Sequence, residues 1–185
     1  MRHGQPELNL DEIKSQRILA KQIKPILDKY QQSKLNLAIT PNISARNISQ
    51  SCRCIVASDL PRSVMSAQAL VGSPHVIDKN FRECGLPYFT LPLLKLSFFT
   101  WAIIFRLAWL CGYAQNSRSY KEEKVRAKHC SDTLEKLAKT SGSVLHIGHG
   151  IMNRLLIKEL KSRGWQMRES TGENYWSYKV FEYQV

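Results

Sequence analysis

Apolar positions fall along this chain in two ways: short unbroken runs, and longer stretches with helical spacing. Residues 53–57, Arg-Cys-Ile-Val-Ala, and 143–148, Ser-Val-Leu-His-Ile-Gly, are too short for buried helices and read as buried strands. A third short run, 75–78, predicts another strand, and the alternating residues 175–184 predict an edge strand. Ile13, Ile18, Leu19, Ile23 and Ile26 predict a helix over 8–30, with Asp11 as N-cap and Pro25 as its kink or end. Residues 31–51 are polar and read as connection with one short element. Pro61 suits the first turn of a helix reaching Leu70. Val125, Leu134 and Leu137, with Ala127 and Ala138, predict a long amphipathic helix over 117–140, supported by Glu122 and Glu123 before Arg126 and ended by Gly142. A further helix, 151–163, follows the 143–148 strand. Strands alternating with helices predict an α/β fold, a mostly parallel sheet flanked by helices, with ligands at the strand ends.

Leu91–Tyr113 is the most apolar stretch. Lys95 and Arg106 interrupt it, leaving ten uncharged residues between them. A spanning helix needs about 20 apolar residues, and a central arginine costs roughly 2.5–3.5 kcal/mol on insertion. A protein-covered helix is expected here, with Lys95 and Arg106 reaching solvent or acidic partners and membrane contact unfavoured.

At 185 residues the chain suits a single domain, 1–185. Its net charge of +12 suits anionic ligands of three kinds, phosphate esters, nucleic acid or acidic lipid surfaces, and does not choose among them. The basic residues are scattered, so no nucleic-acid-binding arm or recognition motif stands out. Five cysteines, an odd number, include Cys52-Arg-Cys54, which has neither zinc-finger nor redox spacing. Residues 1–10 lack the charged-then-apolar pattern of a signal peptide. Reduced thiols and a cytoplasmic location are the expectation.

The candidate chemistry begins at Arg2-His3-Gly4. An arginine can hold a phosphoryl dianion, an imidazole can attack it, and glycine permits close backbone approach. Alone, the tripeptide is as ordinary as a surface turn. Ser58-Asp59-Leu60-Pro61-Arg62-Ser63 adds an arginine after an apolar run, Phe81-Arg82-Glu83-Cys84 a carboxylate, and His146-Ile147-Gly148-His149-Gly150 a second His-Gly. In this order the four segments resemble the histidine phosphatase superfamily, which includes the cofactor-dependent phosphoglycerate mutases. The resemblance spans nearly the whole chain.

The resemblance implies His3 as nucleophile, Glu83 as proton donor to the leaving group, and Arg2, Arg62, His149 and Gly150 as phosphate ligands, His149 also serving catalysis. Gly4, Gln5 and Asn153 are candidate pocket residues. It also implies an α-helical lid inserted over about 88–120, and it implies neither a metal nor another cofactor. His146 reads as a core histidine, Cys84 as packing, and Arg82 as a possible ion pair with Glu83. The implied substrate is a small phosphorylated metabolite or a phosphoprotein, hydrolysed as a phosphomonoester. A mutase and an inactive phospho-ligand-binding relative are the alternatives. Phosphoglycerate mutases are longer chains, and binding alone does not need nucleophile and acid together.

In that family the Arg-His-Gly motif follows a central apolar strand. Met1 directly precedes Arg2, which sets the expectation of a strand roughly 5–10 residues long upstream of Met1. The alternatives are that another segment, such as residues 35–39, Leu-Asn-Leu-Ala-Ile, takes that place, or that the sheet is built without it.

Overall fold

The computed structural model describes residues 1–184. Its centre is a parallel sheet in which β2 (Cys54–Ala57) lies between β3 (Val76–Ile77) and β5 (Val144–Ile147). The register pairs Cys54 with Val144 and Ala57 with Ile147, and Val56 with Val76. Side chains alternate across the sheet, as the pleat requires. Cys54 and Val56 face a core with Phe81, Trp109, Leu134, Met152 and Leu156. Ile55, Leu145 and Ile147 face another with Leu35, Ala45, Ala67, Leu70 and Trp176. Burial on both sides is why these strands are apolar apart from His146.

The helices α2 (Ile43–Gln50), α3 (Pro61–Leu70), α5 (Tyr120–Ser141) and α6 (Gly150–Ser162) cover this sheet, and α1 (Ile23–Gln32) stands toward the lid. Pro61 opens α3 without a side-chain cap. Ser119 and Glu122 close a reciprocal capping box on α5, and Gly142 ends that helix at φ +79°. Glu122 therefore serves the cap. Glu123 and Arg126 form a buried ion pair instead. Arg126 also donates to the carbonyls of Asn80 and Arg82, pinning the loop that carries Glu83. The chain end forms an antiparallel hairpin of β6 (Gln166–Ser170) and β7 (Lys179–Glu182). The expected edge strand is β7; β6, with every residue exposed, has no apolar signal.

The predicted helix over 8–30 is corrected. It resolves into a 3-10 turn at Leu10–Ile13, strand β1 (Arg17–Leu19), a second 3-10 turn at Ala20–Gln22, and α1. Asn9, not Asp11, caps the first turn, accepting from the Asp11 amide. Pro25 neither kinks nor ends a helix: it sits in the first turn of α1, where a missing N–H costs nothing. The apolar residues that mimic one helix instead pack with the lid. There, β1 pairs antiparallel with β4 (Lys95–Ser97), which leads into α4 (Phe98–Leu110). Ile18, Ala20, Ile23, Phe98, Trp101 and Phe105 form their own core.

Met1–His3 lies alongside β5. The Met1 amine donates to the His146 carbonyl at 2.7 Å, Gly148 N–H to Met1 O, and His3 N–H to Gly148 O, the pattern of a parallel ladder. Burial lowers the pKa of that amine to about 5. Residues 35–39 do not take a place beside β5: Leu35 pairs antiparallel with Pro6, and the chain then turns away. A groove of about 1400 Å³ runs beside Met1, lined by Ser143–His146 of β5 on one side and Lys179–Tyr183 of β7 on the other.

Candidate active site

Three sheet-end positions meet here. Arg2 and His3 sit beside the C-terminal end of β5, Arg62 enters from the first turn of α3 after β2, and His149 is the N-cap residue of α6. Parallel strands bring their C-terminal ends to one edge, so residues 146 positions apart in sequence become neighbours. His3 is 2% exposed, Arg62 1% and His149 0%. The two imidazole rings lie 4.9 Å apart.

The hydrogen bonds assign the tautomers. Arg62 Nε donates to His3 Nε2 at 3.1 Å, so that nitrogen carries the lone pair. His3 Nδ1 then donates to the Gly4 carbonyl at 2.6 Å. Arg62 Nη2 lies 3.3 Å from His149 Nδ1, which must accept, so His149 Nε2 donates to Ser58 Oγ at 2.6 Å. Arg62 Nη1 donates to the carbonyls of Tyr30 and Gln31 at the end of α1. One guanidinium thus ties both histidines to α1, while its plane stacks 4.7 Å from the Tyr30 ring.

Electrostatics keep both imidazoles neutral. Burial, reinforced by Arg62, lowers the His3 pKa to about 3. Burial first, then the neighbouring His3 and Arg62, drives His149 well below the usual histidine range. Burial likewise makes the Tyr30 phenol harder to ionise.

Glu83 reaches the site from the loop after β3. Its carboxylate receives the amides of Ile151 and Met152 at the start of α6 and of Cys84 beside it. Gly150 is the first residue of α6; a Cβ there would lie 3.5 Å from Glu83 Oε2. Arg82 pairs with Asp59 rather than with Glu83. Cys84 is buried, and desolvation pushes its thiol pKa far up, so it packs as expected and is no nucleophile.

Arg2 stands at the rim. It stacks 4.4 Å from the Tyr175 ring and donates to the Glu173 carbonyl at 2.7 Å. Its Nε is buried and finds no hydrogen-bond partner among the described residues. A Cβ at Gly4 would come within 2.2 Å of Trp176 and 2.6 Å of Leu35. The glycine lets the motif seat on the 174–177 turn, which also binds the Arg2 amide through the Ser177 carbonyl. Gln5 is half-buried, and its carbonyl receives the Asn36 amide. Asn153 donates to the Met1 carbonyl, so its side chain seats the Met1–His3 segment. His146 packs against Phe81 at 4.7 Å, matching the core reading.

Four residues were missed in the sequence. Ser58 partners His149; Ser66 accepts the Gly4 amide; Tyr175 packs on His3 and Tyr30 on Arg62. Ser58 alone had a signal, as the first polar residue after an apolar strand. The tyrosines sit in segments with no local pattern pointing here.

No protein-family model and no curated protein matches this chain. Two solved structures share its fold. One is phosphoserine phosphatase from Entamoeba histolytica in complex with 3-phosphoglyceric acid, 16% identical, TM-score 0.54, covering 99% of this chain and 94% of that one. The other is the Rv3214 open reading frame product of Mycobacterium tuberculosis, 14% identical, TM-score 0.52, covering 97% and 92%. At such identities the shared property is the fold: an α/β architecture with a parallel sheet flanked by helices, found also in a phosphatase.

Proposed function

We propose that this chain is a phosphomonoester hydrolase that works through a phosphohistidine on His3. The carrying observation is the buried set of His3, Arg62 and His149, with the His3 Nε2 lone pair aimed at a guanidinium. On substrate binding Arg62 exchanges its bonds to His3 Nε2 and His149 Nδ1 for the phosphoryl group, which frees the His3 lone pair, and Arg62 and Arg2 then offer N–H donors to the equatorial oxygens. Their positive charge also opposes protonation of His3, leaving it able to attack. A phosphatase with the same fold supports this reading.

In the first step His3 Nε2 forms a bond to phosphorus and the bond to the leaving oxygen breaks. Glu83 enters the cycle protonated, its oxygens still accepting the α6 amides, and gives that proton to the departing alcohol, becoming a carboxylate. Water then attacks phospho-His3, Glu83 accepts its proton, and inorganic phosphate leaves with neutral His3 restored. His149 donates to the transferring oxygens after exchanging its Ser58 contact. Two cationic guanidiniums in the pocket disfavour a divalent ion there, and the proposed chemistry does not need one. The substrate class is a small phosphorylated metabolite or a phosphoprotein.

Hydrolysis of an aryl phosphate in the presence of chelator is expected, together with acid-labile phosphate on the protein. His3→Ala should abolish both, lowering the rate on the order of 10⁴-fold or more. Turnover that survives His3→Ala, or that chelation removes and a divalent ion restores, refutes the mechanism. Binding of inorganic phosphate with no turnover of any ester in a panel favours the inactive binder instead.

A further inference from the structure

The lid helix has two apolar sides, and the body covers only one. Phe98, Trp101, Phe105 and Trp109 are buried. On the other side Ile103, Leu107 and Leu110, spaced as one helical stripe, are 61%, 58% and 52% exposed. The approach to the helix adds Leu93, 93% exposed, with Leu91 and Leu94 beside it. Leu93 also adopts φ 71°, a conformation unusual for a branched residue. Six solvent-facing aliphatic side chains within 20 residues exceed the scattered exposure ordinary for a soluble surface. The sequence expectation of a covered helix therefore holds for one face only.

Charge selects the occupant. Residues 84–121 contain Lys95, Arg106, Arg118 and Lys121 and no Asp or Glu. Lys95, Arg118 and Lys121 are exposed, and β1, paired with β4, sets exposed Arg17 opposite Ser97 at the entry to α4. Arg106 stacks on Trp109 and donates to the Gly85 carbonyl, so the charge expected at the flank stays partly within the fold. A second copy docking by this face would set cations against cations in a chain already carrying +12. No helix among the described residues is long and apolar enough to cross a membrane. A short helix with an apolar outer stripe, set among cations, suits the boundary between headgroups and acyl chains.

We propose that α4 and the preceding Leu91–Leu94 dock the protein on an anionic lipid surface, lying in its plane. Ile103, Leu107 and Leu110 enter the acyl boundary while Lys95, Arg118 and Lys121 meet lipid phosphates. The proposal is independent of the catalytic reading, since none of these residues touches His3, Arg62 or His149.

The test is flotation of the full chain with phosphatidylcholine vesicles, alone or mixed with phosphatidylserine. Binding to the mixed vesicles is expected, weakened by salt, and absent or much weaker with phosphatidylcholine alone. A variant with Ile103→Ser, Leu107→Ser and Leu110→Ser should keep its circular dichroism and lose vesicle binding on the order of tenfold or more. Lys95→Glu should lower it by a smaller factor. Absence of binding to the mixed vesicles overturns the proposal, as does equal binding by the triple variant. Concentration-dependent self-association that the triple variant abolishes would assign the stripe to a second copy and likewise overturn it.

Discussion

The pocket and the lid solve opposite problems. At the pocket, polar groups are buried and almost all are closed by a neighbour: Arg62 alone bonds His3, His149 and two carbonyls of α1. In the lid, apolar groups dominate and part of them face water. Buried charge must be paired, so the pocket is over-determined by specific contacts. Apolar surface has no such requirement of geometry, so the lid needs only a core on one side. The pocket is therefore expected to fail through chemistry and charge, and the lid through lost volume.

The largest stability effect should come from the lid. Trp101 is fully buried, stacks with Phe105 and donates from its indole to the Ile18 carbonyl. Trp101→Ala should cost about 3–5 kcal/mol, read as a lower urea midpoint. If the lid unfolds as a separate unit, hydrogen exchange will localise the loss to 10–27 and 86–110, with the sheet still protected.

Next comes Arg62→Ala, with a rate loss of about 10²–10³, equivalent to about 2.7–4 kcal/mol. Arg62→Lys should recover little, because Nε and both Nη atoms serve separate partners. A lysine that restores full activity would mean that charge alone matters.

Acid should break the pocket before it affects the lid. His3 and His146 have folded pKa values lowered to about 3, and His149 is lowered too. Below the ordinary histidine value of about 6.5 the unfolded chain binds protons that the folded chain refuses, so stability rises with pH from about 3 to 6.5. The Met1 amine, lowered from 8.0 to about 5, extends the rise toward pH 8. At a pH about two units below 6.5, each histidine kept neutral costs up to about 2.7 kcal/mol. Since His3 itself stays unprotonated in the fold, acid loss of activity should coincide with unfolding. An activity midpoint well above the unfolding midpoint would contradict the neutral pocket.

The smallest effect is on the lid's outer face. Ile103→Ser should change stability by less than about 0.5 kcal/mol by thermal melting, because the side chain is mostly in water already.

Much of this molecule was legible beforehand, and the reason is local. Strand β2 is buried on both faces and β5 nearly so, and their sequences are apolar apart from His146; α3 carries a proline start and α5 a capping box and a glycine end. Arg62 and His149 follow β2 and β5 closely, where a strand end marks a candidate position, whereas no apolar run precedes Arg2 and His3 and only the joint motif order singled them out. The stretch 8–30 misled because its apolar residues satisfy a lid core, whose partners at 86–105 are remote in sequence. Helical spacing within the segment could not reveal that β4 would pair with β1.

The sequence by itself determined the alternating strand-helix order, the polar junctions that hold the candidate site, and the excess of positive charge. Only the tertiary structure decided that Arg62 bonds both histidines, that Ser58 fixes His149, that Glu83 rests on the amides of α6, and that Tyr30 and Tyr175 wall the site. It also decided which side of α4 stays bare. Local propensity acts between residues a few positions apart, whereas these contacts join segments tens to well over a hundred residues apart. They exist only once the parallel sheet has brought its strand ends to a single edge.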